Sequence, residues 1–372
     1  MTTRVAVIGA GIIGLATARE LERQGFACLV FERGAPGGAQ SAGESRIFRH
    51  AHDDPRQTWL AVKARLGWSE WEEEFGSELI SGDGAVVIGH RGVERLRSYS
   101  RTTGAEVQPL GPGDLRELLP IMAYYEGPAM LDPAGGAIRS RLTLASLISA
   151  VGLNLVPEKV ESISPRPDGG VTVATGFGLR DFDAAVVAAG AGTAALAFTA
   201  GVRLPIESKA HVRLSVPLAD PAGATRLACL QDSSGQFGEE AAYGSPIRGN
   251  REYAIGLSTS TPYAEGGQVD LESVTVRTRD YIERSMPGLE LSRAVPFQRW
   301  ITELPWSPDG LAVWQAGGSY FIAGHNLFKL APLLGRVLAD SVAEGRVPAG
   351  FRPEDRLGDP GMGLRQRPEA AR

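Results

Sequence analysis

The chain has 372 residues, enough for about two domains at ~150 residues each. Its 43% hydrophobic and 22% charged residues fit a soluble globular protein, and a net charge of −5 with both signs interspersed gives neither nucleic acid nor an anionic membrane a footing. No apolar run reaches the ~20 residues of a membrane-spanning helix, and two cysteines, Cys28 and Cys229, are too few for a disulfide framework or a thiolate metal site, so a cytoplasmic protein without a metal is expected.

Arg4-Val5-Ala6-Val7-Ile8 is a continuous apolar run, the pattern of a parallel strand covered on both faces. Gly9, Gly11 and Gly14 follow. Ile13, Leu15, Ala16, Ala18 and Leu21 then share one helical face until Gly25, and Cys28 to Phe31 reads as a second strand closed by Glu32. Residues 35–45, rich in Gly, Ala, Ser and Pro, form a loop. Thr58 to Glu74 reads as a helix. From Gly82 to Arg139 the pattern changes to short strands and turns, among them Ala85 to Ile88. Leu142 to Ala150 is an apolar helix, Val171 to Val173 a strand, and Asp183 to Gly192 a buried strand ending in glycines. Residues 205–300 read as strands and Gly-rich turns. Tyr320 to Ala323 is a strand and Pro332 to Glu344 a helix. The Pro-, Gly- and Arg-rich segment after Gly345 reads as poorly ordered.

Strand–helix segments of nucleotide-binding type thus occur three times, separated by sheet-rich insertions. The expected fold is α/β (α+β): a discontinuous Rossmann-type domain from residues 1–80, 140–205 and 310–350, with a mixed-sheet domain from 81–139 and 206–309. Residues 351–372 are left as a flexible tail.

Gly9-Ala10-Gly11-Ile12-Ile13-Gly14 has the chemistry of a dinucleotide cradle. Gly9 permits the turn off the strand, Gly11 lets a pyrophosphate approach the backbone, and Gly14 lets the helix pack on the sheet. The helix N-terminus favours phosphate. Glu32, 18 residues after Gly14, is placed to accept from ribose hydroxyls and to repel a 2′-phosphate, with Arg33 beside it. Late returns to the nucleotide fold at Ala188-Ala189-Gly190-Ala191-Gly192 and Ala323-Gly324-His325 suit a long cofactor touched by distant segments, a flavin dinucleotide rather than a nicotinamide one.

SAGESRIFRHAHDD (41–54) resembles the Ser-x-Gly-Asp-x-Arg-x-x-Arg motif of the D-amino-acid oxidase superfamily, in its branch of monomeric sarcosine oxidase and N-methyltryptophan oxidase. GHNLFKLAPLLGRVLAD (324–340) resembles that branch's Gly-His-Gly-Phe-Lys segment. WSPDG (306–310) resembles its Thr-Pro-Asp-Gly turn, and MLDPAGGAIRSRLTLASL (130–147) its mid-chain strand–helix junction. The resemblance implies FAD, a mixed sheet roofing the flavin, and dehydrogenation of the C–N bond of an amine or amino acid to an imine, with oxygen or another carrier as electron acceptor. It places Arg49 and Lys329 on the substrate carboxylate and Arg46 near the flavin ring. Ser41, Gly43 and Ser45 would line the loop passing the flavin. Gly324 and His325 would begin the last helix, its amides facing the flavin's N1–C2=O edge, with Asn326 and Leu327 against the cofactor and His325 a candidate catalytic residue. His50 and His52 are possible bases, although loop histidines are more often structural.

Four departures accompany the resemblance. The cysteine that binds FAD covalently in the branch corresponds to Thr302, so non-covalent FAD is expected. The branch's oxygen-activating lysine corresponds to Ala254 in REYAIGLS, which Lys209 or Arg251 could replace from elsewhere, and an active-site histidine is replaced by Ser258. GHNLFK carries one extra residue. A flavin-binding subunit of a hetero-oligomer, without turnover of its own, is the alternative reading; the oligomeric state stays open.

Overall fold

The computed structural model describes residues 2–221, 226–262 and 270–363. Among these residues the first sheet has six strands, in the order 311–316, 319–324, 184–187, 4–8, 27–31, 155–156. Arg4–Ile8 pairs in parallel with Ala27–Phe31 and Ala184–Val187, and Ala184–Val187 in parallel with Ser319–Gly324. Leu311–Ala316 closes one edge antiparallel. A strand covered on both faces must be apolar at every position. Val5 and Val7 accordingly pack with Leu15, Leu334 and Leu338, while Ala6 and Ile8 pack with Phe31, Val187 and Phe321 on the other side. Helix Ile12–Arg23 lies against the last helix, Ala331–Glu344.

The second sheet has nine described strands, in the order 261–262, 207–217, 252–257, 242–247, 229–232, 85–88, 129–132, 108–109, with Val295–Glu303 paired to Glu207–Pro217. A two-stranded ribbon, Ser45–Phe48 with Gly136–Arg139, leads from the first sheet to the second and touches Ala242–Ile247.

The strands-and-turns reading of Gly82 to Arg139 is corrected by helices His90–Thr103 and Pro112–Leu118, and that of 205–300 by helix Leu271–Ser285. His90–Thr103 buries Val93, Leu96 and Tyr99 at helical spacing, but charged and polar residues fill the rest of its surface, so a polar composition masks the helix. The expected helix start at Gly324 and His325 is also corrected. Asn326 takes a left-handed conformation (φ 58°), a short 3₁₀ turn occupies Leu327–Leu330, and the helix begins at Ala331.

The flexible-tail reading fails for residues 351–363. Leu357 is buried, its carbonyl accepts from the Leu311 amide and the Trp306 indole, and the Phe351 carbonyl accepts from Val313. The segment covers the antiparallel edge of the first sheet, satisfying amides that an edge strand otherwise leaves open. Residues 364–372 lie outside the described residues.

Candidate active site

A cavity of about 1740 Å³ is lined by both sheets. At one end stands the glycine loop. Gly9 has φ +102°, and a Cβ there would lie 2.5 Å from the Ala188 carbonyl oxygen; a Cβ on Gly14 would lie 1.8 Å from the Gly9 carbonyl oxygen. Only glycine satisfies both, and the result is a turn that brings bare backbone to the cavity. Glu32 braces it, Oε2 accepting from the Ala10 amide and Oε1 from the Gly34 amide, both at 2.9 Å. Ser41 Oγ accepts from the Ile12 amide at the helix start.

Gly9, Gly11, Ile12, Ile13, Glu32, Arg33 and Ser41 line this end, joined by Ala189 and Gly190 just after the strand Ala184–Val187. Three of the expected residues do not reach the wall. Gly14 is buried beneath the loop, where its role is the close packing just described. Gly43 is covered by the Arg299 guanidinium, and Ser45 turns its hydroxyl to Ser245, 2.7 Å away. These last two correct the expectation that they line the loop at the flavin.

The other end of the cavity is charged. Arg49 donates to the Ala51 carbonyl and stands 3.4 Å from Asp309. Asp309 also accepts from Asn326 Nδ2 at 2.5 Å and lies 3.7 Å from both His52 and His325. Lys329 is buried beside this group, and among the described residues no hydrogen bond or ion pair holds its ammonium. Burial, with Arg49 nearby, pushes Lys329 well below the usual lysine range. Burial drives Asp309 upward, but His52, Arg49 and Lys329 outweigh it and hold the carboxyl well below its usual range. His52 is pushed well down by burial, then by Lys329 and Arg49. His325 is lowered by burial, with Asp309 pulling the other way; its ring stacks 5.6 Å from His211, which burial and His325 lower to about 3. Arg49, Lys329, Gly324, His325, Asn326 and Leu327 all line the cavity. His50 does not: it is buried, bonded to Asp132 at 2.9 Å and stacked on Tyr99, a structural histidine.

A dinucleotide cradle and a cationic pocket thus share one cavity, large enough for both a dinucleotide and a small guest. Comparison with known proteins names the arrangement. The family described as FAD dependent oxidoreductase (DAO) matches residues 4–341. The chain belongs to this family.

A peroxisomal sarcosine oxidase of Mus musculus is 28% identical over 217 residues, and the chain spans about half of it, 54% of each protein. A monomeric sarcosine oxidase of Bacillus sp. (strain NS-129) is 24% identical over 376 residues, 92% of this chain and 93% of that protein. The open form of NikD, an unusual amino acid oxidase essential for nikkomycin biosynthesis, superposes with a TM-score of 0.82 at 21% identity, covering 96% of this chain and 97% of that one.

The DAO family's cofactor is FAD, and the donor set here suits it: bare backbone at a helix N-terminus for phosphates, and a carboxylate at the end of the second strand for a ribose. Thr302, which the resemblance aligns with the branch's cysteine, is bonded by Gln40. Neither Cys28 nor Cys229 lines the cavity; burial pushes both thiols up, Cys28 to about 12. Ser258 lines the cavity. Lys209 lines it too but is bonded to Glu303 at 2.6 Å, and Arg251 is exposed away from it.

Sequence reasoning missed Asp309 as a charge partner, His211 as a lining residue, the buried Arg213 and the half-buried Arg299. Strand alternation carried a faint signal, since Lys209, His211 and Arg213 recur every second residue, but polar residues in a strand ordinarily read as its solvent face.

Proposed function

We propose that this DAO-family protein removes hydride from the C–N bond of an amine that carries a carboxylate, an amino acid or N-substituted amino acid, leaving an imine that water hydrolyses. The observation that carries this reading is that Arg49 and Lys329 line one cavity, with Asp309 3.4 Å from Arg49 and coupled to both cations. A planar guanidinium and an ammonium lining the same cavity favour a carboxylate guest, each charge-assisted hydrogen bond contributing ~1.5–3 kcal/mol. The guest's negative charge also relieves the Arg49–Lys329 repulsion. His325 and His211, kept neutral by burial, line the pocket without adding positive charge that would repel the substrate's amine.

FAD, when bound, takes up the hydride; oxygen or another carrier reoxidises it. Gly9, Gly11, Ile12 and Ile13 would hold its pyrophosphate and Glu32 its ribose with Arg33 nearby, while Ser41, Arg46, Ala189, Gly190, Gly324, Asn326 and Leu327 would surround the rest. The binding is non-covalent, since no thiol reaches the cavity. Residues 1–80, 140–205 and 310–350 form the FAD-binding domain in this reading, and 81–139 and 206–309 the substrate domain.

Anaerobic titration of the yellow holoprotein with N-methylated and cyclic amino acids, and with the same amines lacking the carboxylate, tests the proposal. At least one carboxylated amine is expected to bleach the 450 nm band. Arg49→Met and Lys329→Met should each raise its Kd about ten- to a hundredfold. A flavin that no amine reduces, or that decarboxylated amines reduce equally well, refutes it.

A further inference from the structure

Beneath the second sheet three guanidinium groups meet around one short segment. Arg46 Nη1 and Arg299 Nη2 both donate to the Ser45 carbonyl, at 3.1 and 3.0 Å. The Ser45 hydroxyl meets the Ser245 hydroxyl, which accepts from Arg213 Nη2 at 3.0 Å. Arg46 completes its bonding with the Gln40 and Ala42 carbonyls, and Arg213 with the Ala254 carbonyl at 2.6 Å. Every acceptor is a neutral oxygen.

Among the described residues no carboxylate pairs with any of the three. Glu44, which acts on Arg299 from a distance, is itself bonded to Arg141. Arg213 is only 3% exposed, and its Nε, like Nε and Nη1 of Arg299, has no partner. Burial lowers both guanidinium groups, Arg299 to about 10, which no compensating anion prevents. Burying one unpaired charge costs several kcal/mol, so buried Arg213, with half-buried Arg46 and Arg299 beside it and no acid among the described residues, calls for negative charge from outside the chain. All three arginines line the cavity.

Strand register explains how they gather. His211 stands opposite Arg299 and Arg213 opposite Phe297, so the three polar side chains share one face of the sheet. Arg213 also faces Gly256, where a Cβ would lie 2.9 Å from Arg213 Cγ. Gly256 therefore lets the arginine lie flat across the sheet to Ala254.

We propose that Arg46, Arg213 and Arg299 form an anion seat for the negative charge that the FAD ring carries once it is reduced. Two electrons and one proton delivered as hydride turn the neutral oxidised ring into a monoanion, and that charge is what the cluster lacks. Fixed cations in a site that excludes water favour such charge without reorganising. The inference rests on FAD occupying the cavity, not on which amine is oxidised.

Sulfite provides a test that needs no substrate, because it adds to the oxidised flavin ring and leaves it anionic. The wild-type holoprotein should form the adduct at millimolar sulfite, with loss of the 450 nm band. Arg213→Met and Arg299→Met should each raise the sulfite Kd at least tenfold and lower the midpoint potential by the corresponding ~30 mV for a two-electron couple. Arg213→Lys, which keeps the charge, should stay within about threefold of wild type. Wild-type flavin that forms no adduct, or methionine variants that retain FAD with unchanged Kd and potential, overturns the proposal. Should a methionine variant lose FAD, the wild-type titration and the lysine variant still decide. An amine panel that fails while sulfite behaves as stated sinks only the substrate reading.

Discussion

Asp309 accepts from Asn326, stands 3.4 Å from Arg49 and faces His52 and His325, so one carboxylate steadies four neighbours at the charged end of the cavity. Removing it leaves Arg49 and Lys329 facing each other unrelieved. Asp309→Asn is therefore expected to destabilise the apoprotein by about 2 kcal/mol in urea denaturation, the partial exposure of the site reducing the cost of a buried unpaired charge. Unchanged stability would mean that water already screens these cations. His211 makes stability depend on pH. A histidine titrates near ~6.5 when unfolded, whereas folded His211 titrates at about 3. Below the unfolded value the unfolded chain binds a proton that the folded chain refuses, so stability falls as pH drops from 6.5 toward 3. His211→Gln should flatten that fall. A Tm difference between variant and wild type that stays constant from about pH 7 to 4 would show that His211 contributes nothing. Glu32 and the glycines were legible because each has a backbone job that few residues can do; Asp309 was not, since its partners lie more than 200 positions away at Arg49 and His52.

The strand–loop–helix from Arg4 to Arg23 is the element most completely written in local sequence. Its apolar strand, its glycines and its amphipathic helix all point one way, and the structure agrees with each. Gly14→Ala puts a methyl against the Gly9 carbonyl oxygen, an atom that cannot move without breaking the turn. The variant should lose about 2–3 kcal/mol of stability and most of its bound FAD, read by urea melts and by the 450 nm to 280 nm absorbance ratio. Helices His90–Thr103 and Leu271–Ser285 were illegible for the opposite reason. Each buries a narrow stripe against the second sheet and fills the rest of its surface with charge, leaving period and composition at odds. The start of the last helix depended on Asn326 entering a left-handed turn, a choice made by its bond to Asp309 rather than by its neighbours.

At the scale of the molecule, the chain closes on itself. Residues 351–358 bond to the strand Leu311–Ala316, and the Gly358 amide donates to Asp54 near the start of the chain. Arg56 reaches the Asp355 carbonyl at 2.7 Å. Truncation after Gly350 should thus lower Tm by roughly 5 °C or more through about 3 kcal/mol of lost packing and edge pairing. An unchanged Tm would restore the reading of this segment as a tail. By itself the sequence determined the nucleotide-binding βα unit and the discontinuous return to it, because those depend on periodicity and on glycines whose constraints are local; the family and its FAD followed from the resemblance of the motifs at 41–54, 306–310 and 324–340. Only the tertiary structure decided which cations share a cavity, that Arg213 reaches the Ala254 carbonyl, and that among the described residues no carboxylate pairs with the arginine cluster. Charge compensation depends on distances across sheets, and register between strands far apart in the chain sets those distances.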